Sequence, residues 1–447
     1  MTLALRLRRS ATLAPLLLLL AAAAEPQPPP SGQFLALSDV HFDPFADPAI
    51  VPRLIAAEAD QWPAIFAAAK PAPPVGAGSD TNYALFESTL RQAAAAGGRD
   101  GYDFVLVTGD LLRHDFEETF VKYGGSDKDG LQAFAAKTVT YVNRAIERRV
   151  RGAPLIEALG NNDNDCGDYQ PRPGSPLLAA IARSLPAVAA DPQAAQDFTA
   201  GGNYAVRHPK VADHLFLIVD SVYWSTRYED ACGTAGGDPG SAQLAWLEWQ
   251  LFRARLGGKT VSLVMHIPPG FNPYESTAAK PAPFWVDSYR DRFLALADAY
   301  APVLVAGYAG HTHMDDFRLV STAAGPSLPI RITPSVTPLF GNNPSFAVMR
   351  YGRGDARPLD YTAYALQRGA WRREYSFSQA YGYPAYSPAN LAALSGAIRA
   401  GGAPRASYGR YYASGAKSPI TDGNASVYAC AQTELLPAGF AACLGQD

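Results

Sequence analysis

Cysteine is scarce in this chain: four among 447 residues, at positions 166, 232, 430 and 443. No two of them make a C-x-x-C pair, which excludes the commonest zinc-thiolate spacing. A basic surplus is lacking too. Lys and Arg number 38 against 41 Asp and Glu, so there is no electrostatic ground for a nucleic-acid duplex or an anionic membrane as a bulk partner. Beyond residue 24 no apolar run approaches the ~20 residues of a bilayer-spanning helix. No internal repeat is visible, which sets solenoids and arrays aside.

What is present begins with a leader. Arg6, Arg8 and Arg9 form a basic start, residues 13–20 an apolar core, and Ala21 to Ala24 a run of small residues. This is the pattern of a secretory signal peptide spanning 1–24, cleaved near Ala24, and it predicts a secreted or periplasmic protein with no integral membrane segment. Without the leader's arginines the balance is 35 Lys and Arg against 41 Asp and Glu, a net charge of −6. Residues 25–32 (EPQPPPSG) read as a stiff Pro-rich linker. An even cysteine count in an exported chain predicts two disulfides. Cys430 and Cys443 are close enough in sequence to close one small loop, which leaves Cys166 with Cys232.

Short apolar strand-like runs follow at 34–37, 104–108, 155–159, 215–219, 261–265 and 303–306, with later ones at 317–320, 330–333, 346–351 and 359–364. Helix-like stretches alternate with the early runs, at 82–95, 131–149, 241–255 and 287–297. Ser241 is the expected cap of the third, with Leu244, Trp246 and Trp249 on its buried face. The alternation predicts an α/β catalytic domain over 33–370, with function at the carboxyl ends of the strands. Residues 70–80 read as a surface insertion, 270–283 as a Pro- and Ala-rich loop placed to shape a pocket, and 371–447 as a small, mainly helical extension.

Five of the first six runs end at or near a motif rich in metal-ligand side chains. In order these are Asp39-Val40-His41, Gly109-Asp110, Gly160-Asn161-Asn162-Asp163, His266 and Gly310-His311-Thr312-His313. Asp39 and His41, two apart after a strand, can point at one ion. Asp110 follows a Gly that lets the backbone turn, and its two oxygens can bridge two cations. Asn161 supplies a neutral amide oxygen. His311 and His313 can face different ions. Two Asp, one Asn and four His suffice for two divalent metals, and imidazole with carboxylate suits Zn, Mn or Fe better than Mg or Ca. Two ions side by side suit displacement at phosphorus, where they neutralise phosphoryl oxygens and ready the attacking one.

In that motif order the chain resembles the calcineurin-like metallophosphoesterase superfamily, whose pattern is D-x-H, G-D, G-N-H-[DE], H and G-H-x-H. More narrowly it looks like the acid sphingomyelinase-like phosphodiesterase branch. The carriers are residues 38–44 (SDVHFDP), 108–115 (TGDLLRHD) and 338–346 with Asn343-Pro344. The resemblance covers roughly 34–351. It implies a two-sheet β-sandwich flanked by helices, with Asp39, His41, Asp110 and His313 on the first metal. Asp110, Asn161, His266 and His311 would hold the second, with Asp110 bridging. One departure stands out. Many relatives carry His after the third motif's Asn, where this chain has Asn162, which can donate a hydrogen bond to substrate but no proton. His114, four residues after the bridging Asp as in the related branch, is then the expected catalytic acid or phosphate contact, an imidazole being suited to protonate a leaving alkoxide. His208 and His214 match no motif.

The expected function is that of a monomeric metal-dependent phosphodiesterase acting on a small phosphoester. With the catalytic domain expected to start near Phe34 and no six-cysteine pattern, no lipid-extracting saposin-type module is expected. Soluble phosphodiesters or nucleotide phosphoanhydrides are therefore expected ahead of sphingomyelin or another phospholipid. A phosphomonoesterase, or a fold that keeps its metals without turnover, are the other readings. Phe271, Tyr274, Phe284, Trp285 and Tyr308 lie near the metal loops in sequence and can stack a base, cover an acyl chain or simply pack the core.

Overall fold

A computed structural model describes residues 30–233, 237–277 and 279–445; the expected leader lies outside them. Among the described residues twelve strands form: β1 (Ser31–Leu37), β2 (Val105–Val107), β3 (Leu155–Glu157), β4 (Tyr204–Arg207), β5 (His214–Ile218), β6 (Thr260–Val264), β7 (Leu304–Ala309), β8 (Asp316–Thr322), β9 (Gly325–Ile332), β10 (Ser345–Gly352), β11 (Pro358–Gln367) and β12 (Ala370–Ser376). They make two six-stranded mixed sheets, ordered β12-β11-β10-β1-β2-β3 and β4-β5-β6-β7-β9-β8. The expected two-sheet α/β architecture, helices flanking and a helical C-terminus, is what is seen.

The central strands are parallel: β1 with β2, β2 with β3, β5 with β6, β6 with β7, and β7 with β9. Parallel strands need helical crossovers that cover both faces, which is why these runs are apolar throughout. Val105 to Val107 and Leu155 to Glu157 are buried along their whole length. The outer strands are antiparallel and less apolar. Two of them, β4 and β12, carry exposed Arg207, Arg372 and Arg373 and were not expected from the sequence. An edge strand satisfies only one row of backbone groups in the sheet and tolerates charge on its free side.

β12 also moves the expected domain boundary. Its register with β11, from Thr362 opposite Ser376 to Gln367 opposite Ala370, places position 370/371 inside the first sheet. The helical extension therefore starts at Phe377. At the other end, the last two residues of the expected 25–32 linker, Ser31 and Gly32, belong to β1. The helix expected at 241–255 runs Pro239–Leu256, and its cap is Asp238, whose carboxylate accepts the Ser241 backbone N–H at 2.9 Å. Pro239 supplies a helix-ready φ at the first position. Trp249 stands 55% exposed on this helix, while Leu244 is buried as expected.

Cys166 is bonded to Cys232 and Cys430 to Cys443. The second bridge joins helices Ala425–Thr433 and Pro437–Leu444, and Phe440 of the latter stacks on Phe271 at 4.5 Å. The loop after β6 is thus anchored by the tail. In the chain-entropy model closures of 66 and 13 residues contribute about 4 and 3 kcal/mol. Peptide mapping without reduction should recover both pairs, and Cys166→Ser/Cys232→Ser should lower unfolding stability by about that first amount; a free Cys166 thiol would contradict the pairing.

Candidate metal centre

All seven candidate ligands sit just beyond the carboxyl ends of parallel strands β1, β2, β3, β6 and β7, on loops stitched to one another. Asp39 N donates to Gly109 O, His41 N to Asp110 O, and Gly310 N to His266 O, each near 3 Å. Five of the seven, Asp39, His41, Asp110, His311 and His313, have left-handed backbone, with φ between 42 and 72°. Asp and His enter that region more readily than most residues. Even so, each such position stores about 1–3 kcal/mol, and clusters of them mark functional sites. Glycines make the crowding possible. A Cβ at Gly160 would collide with the Asp110 carboxylate, and one at Gly310 with Ser38 Oγ and Asp39.

The side chains fall into two groups. In the first, His41 Nε2 lies 3.3 Å from His313 Nε2, and His313 Nε2 lies 3.3 Å from Asp39 Oδ1. In the second, Asn161 Oδ1 is 3.0 Å from both His266 Nε2 and His311 Nδ1. Asp110 joins them: its Oδ2 is 3.4 Å from His41 Nε2 and 3.2 Å from His266 Nε2. Backbone carbonyls set the imidazole tautomers. His41 Nδ1 donates to Leu112 O at 2.9 Å and His266 Nδ1 to Thr108 O at 2.7 Å, which turns each Nε2 inward. Asp168 accepts from Asn161 Nδ2 at 2.7 Å, so the amide oxygen faces the imidazoles.

This donor set fits cations. Neither Asp39 nor Asp110 has a Lys or Arg ion-pair partner among the described residues. Burial pushes the His41 and His311 pKa values down to about 4 and about 3, and takes His313 well below its usual range, so all three are neutral bases at pH 7. Burial also opposes charge on His266, but the adjoining Asp110 outweighs it and pushes that imidazole up to about 10. A proton there stands between lone pairs where a cation would serve better. Asp39 is raised to about 7 by burial, with His266 working against it.

His114 lies at the same centre. Its ring stacks on His41 with centroids 3.9 Å apart, and Nδ1 meets Asp80 Oδ1 at 2.9 Å. Burial alone would lower its pKa, but the Asp80 bond and charge hold it above the usual value. Its donor atom also falls within 4.8 Å of those of His41 and His313. Asn162, expected at the substrate, is turned elsewhere: its backbone N and Nδ2 donate to Asp110 Oδ1 and Oδ2 at 2.8 and 3.0 Å. Tyr308, also expected there, is a core residue on β7, 2% exposed and edge-on to Phe34 at 5.5 Å. As part of a strand buried on both faces, it has no route to the cavity. Trp285 packs against Trp224 and Phe293. His208 and His214 are structural: the former accepts from Lys210 N and Val211 N, the latter sits between Thr260 and Ser262 hydroxyls.

The centre opens into a cavity of about 710 Å³. Asp110, His114, Asn161, His311 and His313 form its floor, and Tyr169, Arg227, Tyr274, Phe284, Phe340 and Lys417 its walls. Phe340 meets His313 edge-on at 4.6 Å, and Phe284 meets His311 at 5.3 Å. The loop over 270–283 contributes Asn272, Tyr274 and Glu275, as expected of it. Asp80, Asp163, Asp168, Arg227, Phe340 and Lys417 were not foreseen. Of these only Asp163 had a local signal, as the last residue of Gly160-Asn161-Asn162-Asp163; its carboxylate accepts from Leu111 N, Leu112 N and Gly160 N and ties the second loop to the third.

Known proteins resemble the chain at this level. Cyclic GMP-AMP phosphodiesterase SMPDL3A of Rattus norvegicus is 25% identical over 315 residues, 66% of this chain and 69% of that one. Acid sphingomyelinase-like phosphodiesterase 3b of Homo sapiens is 26% identical over 377 residues, covering 79% and 76%. Sphingomyelinase phosphodiesterase D of Dictyostelium discoideum is 25% identical over 324 residues, covering 68% and 66%. No family model matches the chain.

Proposed function

We propose that the chain is a metallophosphoesterase of the acid sphingomyelinase-like branch, to whose members it is 25 and 26% identical, and that it is a phosphodiesterase working with two divalent metal ions. Asp110 is the observation that carries the reading, since a single oxygen faces a histidine of each group. Asp39, His41, Asp110 and His313 would hold one ion, and Asp110, Asn161, His266 and His311 the other. The donor types favour Zn, with Mn or Fe as alternatives. Bound there, the ions supply positive charge to phosphoryl oxygens and acidify an attacking water.

The chain's own residues do the rest. Asp80 occupies His114 Nδ1, which leaves Nε2 to protonate or hold the leaving oxygen. Asn162 and Asp168 fix Asp110 and Asn161 so that their oxygens stay aimed inward. Lys417 and Arg227, the latter paired with Glu275 at 3.2 Å, line the approach to the centre together with Phe284 and Phe340. Walls that combine aromatic rings with Arg227, Glu275, Asp168 and Lys417 around about 710 Å³ have the size and mixed polarity for a soluble phosphodiester or nucleotide-type phosphoanhydride. Export belongs to the same proposal and is supported by the two disulfides. Among the described residues no helix is long and apolar enough to cross a membrane.

Purified protein loaded with Zn, Mn or Fe should be assayed on bis-p-nitrophenyl phosphate, p-nitrophenyl phosphate, ATP and sphingomyelin. Bis-p-nitrophenyl phosphate or ATP should turn over fastest, with activity removed by a chelator and restored by metal. Preference for sphingomyelin would replace the substrate class, and preference for p-nitrophenyl phosphate would make the protein a monoesterase. No turnover with any metal would remove the reading.

A further inference from the structure

A second cavity, of about 1010 Å³, opens between the first sheet's edge and the helical extension. Arg368, Arg372, Arg405 and Arg410 line it, with Ser418 and Thr421 among their polar neighbours. Arg405 is committed: it donates to Ile398 O and Arg399 O and pairs with Asp422 at 3.3 Å. Arg368, Arg372 and Arg410 have no carboxylate ion-pair partner among the described residues, and Arg410 lies 5.5 Å over the Tyr411 ring. Among the described residues Asp422 is the only acid on the wall, and it already serves Arg405. Glu374 sits behind Gly415 on the floor. Burial, with Asp315, pushes its carboxyl up to about 8 against the pull of Arg410.

Arg368, Arg372 and Arg410 thus present three exposed guanidiniums around one hollow, on a chain whose overall charge is negative. The planar fork of guanidinium matches the oxygens of phosphate two at a time. We propose that this hollow is a second anion site, which takes a phosphate group other than the one hydrolysed. Residues 417–419 separate it from the metal cavity, and Ser418 lines both. A ligand in the hollow therefore touches the back of a catalytic wall.

Calorimetric titration of the metal-loaded enzyme with inorganic phosphate should return two equivalents. Arg372→Gln/Arg410→Gln should weaken one of them at least ~10-fold, with an unchanged melting temperature and unchanged turnover of bis-p-nitrophenyl phosphate. The equivalent that persists in Asp110→Asn and is lost in the arginine variant belongs to the hollow, so its absence is distinguishable from failure of the metal centre. Co-sedimentation with phosphatidylcholine vesicles containing phosphatidic acid, lost in the arginine variant, would identify a lipid headgroup as the source. Phosphate binding without vesicle binding would identify a soluble phosphate compound. If the wild type shows no arginine-dependent equivalent and no vesicle binding, or the variant binds as well as the wild type, the site does not exist.

Discussion

Asp110→Asn is expected to lower metal content from two equivalents per chain to one or fewer, and turnover to less than about one-hundredth of wild type. The floor for that estimate is the 10–100-fold effect usual for residues that merely orient a ligand, and Asp110 itself faces both groups. Its Oδ2 is within 3.4 Å of His41 Nε2 and 3.2 Å of His266 Nε2. An amide keeps the shape but halves the oxygen donors and removes the charge that holds the two halves together. Asn162→Ala provides a graded comparison. It deletes the Nδ2 donor to Asp110 while leaving every candidate ligand in place, so metal affinity should fall by roughly 10-fold with two sites still countable. Metal analysis and turnover on the same samples check both. Two metals and near-native rate in Asp110→Asn would show that the carboxylate does not bridge.

His114→Ala should reduce turnover by ~100-fold or more on substrates with poor leaving groups, the usual size of general-acid effects. The loss should be much smaller for p-nitrophenolate, which departs without a proton. Asp80→Asn should show the same leaving-group dependence in milder form, because it weakens the bond to Nδ1 and leaves the imidazole present. Metal content separates the alternatives. His114 stacks on His41 and its donor atom is near those of His41 and His313; an equal loss on all substrates together with lost metal would make it a ligand. An equal loss with both metals retained would make it a phosphate contact.

The motif residues were legible because each has a local grammar: an apolar run, then a Gly or a turn, then a side chain able to bind. Asp39, Asp110, Asn161, His266 and His311 all follow it, and the fold brings them together at the strand ends. Relations across the chain had no such mark. Asp80 reaches His114 from the end of a Pro- and Gly-rich stretch, and Asp168 reaches Asn161 after a turn; nothing in either neighbourhood announces a partner. For Asn162 the motif fixes the position and not the direction of the side chain, which turns to Asp110. Tyr308 was misread because adjacency to a loop in sequence was taken for adjacency in space, whereas its strand carries it into the core. The edge strands β4 and β12 escaped notice for a different reason: charged residues on their free sides erase the apolar signal by which the central strands were found.

The position of β1 has a consequence for the order in which the molecule can be assembled. This opening strand lies in the interior of its sheet, with β2 on one side and β10 on the other. Its partner on that second side begins at Ser345, and Phe34 is paired with Met349. A growing chain therefore keeps one edge of β1 unsatisfied until more than three hundred further residues have been made. Loop closure over such a span is slow, and an open strand edge invites pairing with other chains. Exporting the polypeptide before it folds would postpone that hazard until both strands are present together, so the same connectivity that builds the metal cavity favours folding after synthesis over folding during it.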